Sequence, residues 1–156
     1  DDDTFKPNNT LTRVQMTSIL TRGLQLQSTA NVPFTDIAAY DVETQREVAA
    51  AYEAGIVKGT GTLFNPSGNV TRAQVAIMMH RAYEHLTGEA YEPQQIAPFT
   101  DISMYDLETQ QAITFLYDNK IATGVSAEKF NPTGYLTRAQ AAKIIVNFYE
   151  SIILDN

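Results

Sequence analysis

The sequence predicts an all-α fold of tandem helix-loop-helix repeats, arranged as a pseudo-three-fold helical bundle whose first repeat is incomplete. Three observations predict this fold. Short sequence elements recur at shifts of 65 and 66 residues, each unit contains two amphipathic segments of helical period, and a turn-rich stretch separates the two. The 156 residues are 44% hydrophobic, which is a composition that can bury a core.

The recurring elements keep the same order along the chain. Pro33–Ile37 returns as Pro98–Ile102, and Thr71–Gln74 returns as Thr137–Gln140. The first pair is shifted by 65 residues and the second by 66. One residue has therefore been inserted in the loop that follows Gly59.

A third copy is partial. Phe5-Lys6-Pro7 and Leu11–Gln15 match the Phe-Asn-Pro and Thr-Arg-x-Gln elements of the complete units. The matches divide the chain into four parts. Residues 1–30 form a partial repeat that contains only the second half of the unit, and residues 31–88 form a complete repeat. Residues 89–97 are a linker, and residues 98–156 form a second complete repeat. Without a first helix in the first unit, we expect part of the apolar stripe of Met16, Ile19 and Leu20 to be exposed.

Each complete unit predicts two helices joined by a loop. The first helices extend roughly over residues 43–54 and 108–119. Gly55 is a natural stop for the first of them, whereas Lys120 occupies the equivalent position in the last repeat, where we expect a different loop geometry. The second helix of each unit begins at its Thr-Arg-x-Gln segment and continues with an apolar stripe. The stripes are Met16, Ile19, Leu20 and Gly23; Val75, Met78, Met79, Ala82 and Leu86; and Ala141, Ile144, Ile145, Phe148 and Ile152.

The Thr-Arg-x-Gln segment supports a structural and a functional interpretation. Its Thr and Gln have the spacing of a capping box, which is a purely structural role. Its Arg stands at the first helical position, where the helix dipole disfavours a cation by up to about 1 kcal/mol. Three of the six arginines occupy this position in a chain of net charge −7. We therefore favour an anionic ligand, carboxylate or phosphate, over the alternative of ion pairs with Asp36 or Asp101.

The series Phe-Thr-Asp-Ile, Gly-Ile-Val-x-Gly, Phe-Asn-Pro and Thr-Arg-Ala-Gln resembles the S-layer homology domain. The resemblance covers the two complete units and the second half of the third. It implies a compact pseudo-trimer with grooves between adjacent units. It also implies that a secreted protein is anchored non-covalently, at the bacterial cell wall or S-layer, to an anionic and often pyruvylated secondary cell-wall polysaccharide linked to peptidoglycan.

The resemblance also implies the contact residues. The polysaccharide would meet the motif arginines and glutamines, with two glycines allowing close approach and two aspartates accepting hydroxyl hydrogen bonds or orienting an arginine. These residues are Arg13, Gln15, Arg72, Gln74, Arg138, Gln140, Gly59, Gly124, Asp36 and Asp101.

The chain departs from the family at one aromatic position. The family commonly has a Trp at the start of the first helix, and Glu43 and Glu108 stand there in a chain without Trp. An anionic side chain at this point would weaken or redirect the binding of an anionic glycan. Stacking on a sugar would then fall to Tyr40 or Tyr105.

Other functions are less well supported. The main alternative is a protein–protein assembly module of a surface protein without glycan binding, which self-associates through the incomplete first repeat. An enzyme is not predicted, because the chain has no Cys and only two His, and no second carboxylate is expected to converge on Glu43 or Glu108. No cofactor or metal is predicted, and Asp1-Asp2-Asp3 is interpreted as a solvated run.

Charge and hydropathy narrow the partners further. The sequence pI of about 4.7 argues against general binding of nucleic acid or anionic membranes, since both require a cationic surface. No apolar run approaches the roughly 18 residues of a membrane-spanning helix, so membrane insertion is not predicted.

Overall fold

The computed structural model describes residues 5–154, so the Asp1–Asp3 run lies outside the described residues. Five α-helices are present: α1 (Arg13–Gly23), α2 (Val42–Glu53), α3 (Arg72–Thr87), α4 (Leu107–Asp118) and α5 (Arg138–Phe148). A 3₁₀ turn at Thr35–Ile37 precedes α2, and a π-helical segment at Tyr149–Leu154 follows α5. No strand occurs in the described part of the chain. The predicted all-α fold is confirmed, and α2 and α4 begin and end one residue earlier than expected.

Local sequence determines where each helix begins. Complete capping boxes start α1, α3 and α5, as the Thr-Arg-x-Gln spacing predicts. The helices α2 and α4 begin after Asp41 and Asp106, whose carboxylates accept hydrogen bonds from the backbone N–H groups of Thr44 and Thr109 at 2.9 and 2.8 Å. These aspartate caps are the counterparts of the threonine caps on the second helices.

The two loops after the first helices begin with a residue of the same backbone conformation. Gly55 has a φ of +74° and Lys120 a φ of +56°, so both lie in the left-handed region. The expected change of geometry therefore does not occur at Lys120 itself. A lysine holds a conformation that costs a non-glycine residue about 1 kcal/mol or more.

Three short segments close a ring at the centre of the molecule. The backbone N–H of Leu11 donates to the carbonyl of Leu136 at 3.0 Å, Val70 donates to Leu11 at 2.9 Å, and Leu136 donates to Val70 at 3.3 Å. All three side chains are buried. Because each residue directly precedes the motif threonine of its own repeat, the ring gives the three repeats a pseudo-three-fold arrangement.

The helices pair across repeat boundaries. The second helix of one repeat packs against the first helix of the next, α1 on α2 and α3 on α4. Consequently Met16 and Leu20 are buried, whereas Ile19 is 39% exposed. The expected partial exposure of these three residues therefore falls on Ile19 alone, because α2 of the following repeat covers Met16 and Leu20.

The open helical face belongs to α5 instead. Val146 on α5 is 52% exposed, whereas its equivalents Thr21 on α1 and His80 on α3 are 2% and 5% exposed. A first helix preceding Phe5 would pack there if the cyclic pattern of pairing continued. None of the described helices is both long and apolar enough to cross a membrane.

Candidate ligand-binding grooves

The motif arginines reach across the boundaries between repeats. The Arg72 guanidinium lies 4.6 Å from the centroid of the Phe130 ring in the next repeat. It donates from Nε to the Phe130 carbonyl at 2.7 Å and from Nη2 to the Thr123 carbonyl at 2.8 Å. Burial lowers the pKa of Arg72, with Asp101 acting in the opposite direction. The carbonyls and the aromatic face offset the unfavourable helix dipole at this position.

Arg13 repeats this arrangement in the second repeat. Its guanidinium lies 4.7 Å from the Phe64 ring and donates from Nη2 to the Lys58 carbonyl. Its Nε is buried and has no hydrogen-bond partner. Burial is the main cause that lowers the pKa of Arg13, and the nearby charge of Arg81 adds to it.

Arg138 completes the cycle by returning to the first repeat. Its guanidinium lies 5.5 Å from the Phe5 ring. Within residues 5–154 it donates no side-chain hydrogen bond to a carbonyl.

Three grooves lie at the repeat boundaries, and each joins the motif Arg of one repeat to the motif Gln of the next. Groove A contains Arg13 and Gln74, groove B contains Arg72 and Gln140, and groove C contains Arg138 and Gln15. Their volumes are 410, 380 and 460 Å³ respectively, within the range of about 300 to 1,000 Å³ typical of small-molecule sites. The structure thus brings the predicted residues together in pairs that the sequence did not indicate.

The glutamines have a structural role in all three repeats. The Oε1 atoms of Gln15, Gln74 and Gln140 each accept the backbone N–H of the capping threonine at 3.0 Å. The capping-box interpretation is confirmed. The side-chain amide NH₂ group is then the part of each glutamine that remains for a ligand.

The two groove glycines are required by packing within their own repeats. A Cβ atom at Gly59 would overlap the Phe34 ring and stand 2.7 Å from the Leu63 carbonyl oxygen. At Gly124 it would stand 2.5 Å from both the Lys129 carbonyl oxygen and the Phe99 ring. Both glycines line a groove, and close approach of a sugar to them stays a prediction.

The two aspartates hold the loops on which the arginines rest. Asp36 accepts the backbone N–H groups of Phe64 and Asn65, at 2.9 and 2.7 Å to its nearer oxygens. Asp101 accepts the N–H groups of Phe130 and Asn131 at 3.0 and 2.8 Å. Burial acts to raise the pKa of Asp101, but these hydrogen bonds lower it below the ordinary value.

Neither aspartate forms an ion pair with a motif arginine among the described residues. The alternative that motif arginines are neutralised by Asp36 and Asp101 is therefore wrong as a direct contact. Each aspartate instead fixes the phenylalanine over which an arginine lies. The orienting effect on Arg13 and Arg72 is indirect.

The carboxylates at the position of the family's Trp are paired with arginines. Arg81 on α3 donates from Nε to Glu108 on α4 at 2.7 Å. Arg22 on α1 donates to Glu43 at 3.3 Å and to Glu47 at 2.5 Å. Glu47 thus meets Glu43 at one guanidinium, so the expectation that no second carboxylate approaches is wrong for Glu43. Glu43 and Glu108 therefore form ion pairs between packed helices, and neither lines one of the three grooves.

The remaining candidates fall in different places. Tyr40 lines groove C, whereas Tyr105 lines none of the three grooves. A larger cleft of 1040 Å³ lies between residues 25–30 and α2, and the paired Arg22, Glu43 and Glu47 line it. The motif arginines line the three grooves and none of them lines this cleft. Residues 5–154 contain no group of three His, Cys, Asp or Glu that could hold a metal ion.

A cycle of helical repeats with a cation at each boundary groove defines a repeat-built binding module. The model of the S-layer homology domain matches residues 33–76 and 98–142, more than half of the chain. The chain belongs to this family.

Relatives include enzymes and surface-layer proteins. The chain is 40% identical to an endoglucanase of Bacillus sp. (strain KSM-635) over 91% of its length, 31% identical to an amylopullulanase of Thermoanaerobacterium thermosulfurigenes over 96%, and 28% identical to an S-layer protein of Bacillus thuringiensis subsp. finitimus over 93%. The chain corresponds to 15%, 8% and 17% of the lengths of these three proteins. It matches only their S-layer homology portion. The family indicates cell-wall anchoring and a location at the cell surface or in an S-layer.

Proposed function

We propose that this chain is a non-covalent anchoring module that binds an anionic secondary cell-wall polysaccharide through grooves A, B and C. The observation that carries the proposal is the recurrence of an arginine in each groove of a chain whose net charge is −7. A guanidinium beside a helix start suits a carboxylate or phosphate group. The chain itself supplies binding and no catalysis.

A polymer is a suitable partner because it presents the same group many times. Three grooves on one rigid ring can engage one chain of sugars at several points. Linked weak sites then give an affinity that exceeds that of each groove alone. We place the partner polymer on peptidoglycan, outside the cell.

Co-sedimentation with purified Gram-positive cell walls tests the proposal. We expect the chain to pellet with intact walls and to stay in the supernatant after the secondary polymer has been extracted. Raising the ionic strength should also release it, since exposed charges are screened within about 8 Å at 0.15 M salt and within about 3 Å at 1 M. Equal pelleting with extracted walls would refute the proposal.

The clearest variant for this experiment is Arg138→Ala. Arg138 has no side-chain hydrogen bond to a described carbonyl, so its removal should weaken wall binding with little change in melting temperature. Arg46→Ala is the matched control, because it removes the same charge from a residue outside the three grooves. If both variants lose the same affinity, general charge rather than a groove explains binding.

The second candidate is an assembly module that self-associates without glycan. The observation in its favour is the open face of α5, where Val146 is 52% exposed and Ile145 is half-buried. A second copy could cover this face with its own α5 in a two-fold contact. Sedimentation velocity across a hundredfold range of concentration tests it. A dimer that Val146→Asp dissociates would support assembly, and a monomer throughout would exclude it.

A further inference from the structure

The three grooves differ strongly in charge. Groove B is lined by three cationic side chains, Arg72, Lys120 and Lys143, and by no carboxylate. Groove A is lined by Arg13 and Lys58 but also by the Asp36 carboxylate. The two arginines that line groove C are Arg22 and Arg138, and Arg22 is occupied by Glu43 and Glu47.

The extra cations of groove B belong to the last repeat alone. Lys120 stands where the preceding repeat has Gly55, and Lys143 stands where the other second helices have Ser18 and Ile77. Neither lysine forms an ion pair with a residue in the range 5–154. Both are exposed, so their charges face whatever enters the groove.

The backbone at Lys120 adds to the argument. Its φ of +56° lies in the left-handed region, where its counterpart Gly55 has +74°. Glycine would hold this conformation without strain. A lysine that persists in a glycine position, in a groove without carboxylates, is consistent with a requirement for its charge.

The nearest acid does not cancel these charges. Asp101 affects the pKa of Arg72, yet it does not line groove B and its oxygens accept the N–H groups of Phe130 and Asn131. The Arg72 guanidinium, although bonded to two carbonyls, keeps its full charge. Groove B is thus the most cationic of the three.

We propose that groove B selects the anionic substituent of the polymer, a carboxylate or a phosphate, and that Lys120 and Lys143 are specificity-determining residues beside Arg72. This inference rests on the proposed function and assigns unequal roles to the grooves. Grooves A and C, each with its motif arginine, would still bind the polymer but contribute less to the recognition of its charge. The two lysines would determine how strongly the affinity depends on the negative charge of the polymer.

Lys120→Gly is the decisive variant, because stability and affinity should change in opposite directions. Relief of the left-handed strain should raise the melting temperature by about 2 °C. Affinity for the purified wall polymer, measured by isothermal titration calorimetry, should fall about fivefold, and for Lys120→Gly combined with Lys143→Gln about tenfold or more. Lys129→Gln is the matched control, because Lys129 is an exposed lysine of the same repeat that lines none of the three grooves, and it should lose less than about twofold.

Chemical treatment of the polymer identifies the substituent. Amidation of its carboxylates should abolish the difference between wild type and the double variant if the group is a carboxylate, and removal of phosphodiesters should do so if it is a phosphate. An unchanged affinity in the double variant, or an equal loss in Lys129→Gln, would overturn the inference. Either result leaves the proposed function standing as long as wild type binds intact but not extracted walls.

Discussion

At the scale of single residues, the Thr-Arg-x-Gln segment stabilises the molecule within a repeat and between repeats. Its Thr and Gln cap the helix of their own repeat. Its Arg binds carbonyls and an aromatic ring of the next repeat, as Arg72 does with Thr123 and Phe130. The structural and functional interpretations of the segment are therefore compatible.

The unequal bonding of the arginines predicts unequal effects on stability. We expect Arg72→Ala to lower the free energy of unfolding by about 2 kcal/mol, because two hydrogen bonds from a charged donor and a contact with an aromatic ring are lost. Urea unfolding measured by circular dichroism provides the test.

Arg138→Ala is the control for this experiment. Its guanidinium makes no carbonyl contact among the described residues, so we expect a loss below about 1 kcal/mol. Equal losses in the two variants would contradict the assignment of different structural roles to the two positions.

At the scale of elements, the helix pairs α1/α2 and α3/α4 are joined by ion pairs at equivalent positions. The two pairs differ in solvent exposure. The side chains of Arg81 and Glu108 are 14% and 46% exposed, whereas those of Arg22 and Glu43 are 64% and 75% exposed. Exposed pairs are weaker because water and salt screen them.

A double-mutant cycle separates the two pairs. We expect a coupling free energy of about 1 kcal/mol between Arg81 and Glu108, and less than about 0.5 kcal/mol between Arg22 and Glu43. Urea unfolding of the single and double variants at low and high salt gives both values. A larger coupling for the Arg22 pair would show that exposure does not govern their strength.

The interface between α3 and α4 also contains a buried histidine. Neither ring nitrogen of His80 has a hydrogen-bond partner among residues 5–154, although Nε2 lies 3.6 Å from the Glu84 carboxylate. The Tyr91 and Phe115 rings lie 6.1 and 5.6 Å away. Burial lowers the pKa of His80 below its ordinary value of 6.5, although Glu84 and Glu108 act to raise it, while Arg81 lowers it further.

This shift predicts that acid destabilises the fold. Because the folded-state pKa lies below the unfolded value, stability is complete above pH 6.5 and decreases as the pH falls below it. We expect a loss of about 1 kcal/mol between pH 7 and 5 that is absent in His80→Leu. Exposed His85 supplies the control variant His85→Gln, which should keep the wild-type profile. A profile unchanged by His80→Leu would assign the acid sensitivity to other groups.

At the scale of the whole molecule, the sequence predicted the bounds of the helices and the residues that line the grooves better than it predicted which helices and which residues contact each other. The sequence predicts the helix bounds closely because the spacing of apolar residues and the capping residues are local signals. The two aspartate caps, Asp41 and Asp106, were not predicted. The pairing of α1 with α2 is not local, because a tandem repeat has the same pattern whether a helix packs within its unit or on the next. The contacts between α1 and α2 and between α3 and α4 in the folded chain distinguish these arrangements.

The cyclic arrangement leads to a prediction about three equivalent positions. Thr21, His80 and Val146 occupy the same place on α1, α3 and α5, but only Val146 has no helix packed over it in the described structure. A carboxylate at Val146 would stay in water, and Val146→Asp should change the free energy of unfolding by no more than about 0.5 kcal/mol. The same charge at Thr21 would be buried beneath α2, so Thr21→Asp should cost more than about 3 kcal/mol.

Urea unfolding of both variants measures this difference, and hydrogen exchange gives an independent check. The amides of α5 should exchange faster than those of α3, because fewer of its side chains are buried. Thr21→Val is the control for the lost hydroxyl, since the Thr21 Oγ1 donates to the Glu47 carbonyl at 3.1 Å. A large cost for Val146→Asp in a monomer would contradict the assignment of an open face to α5.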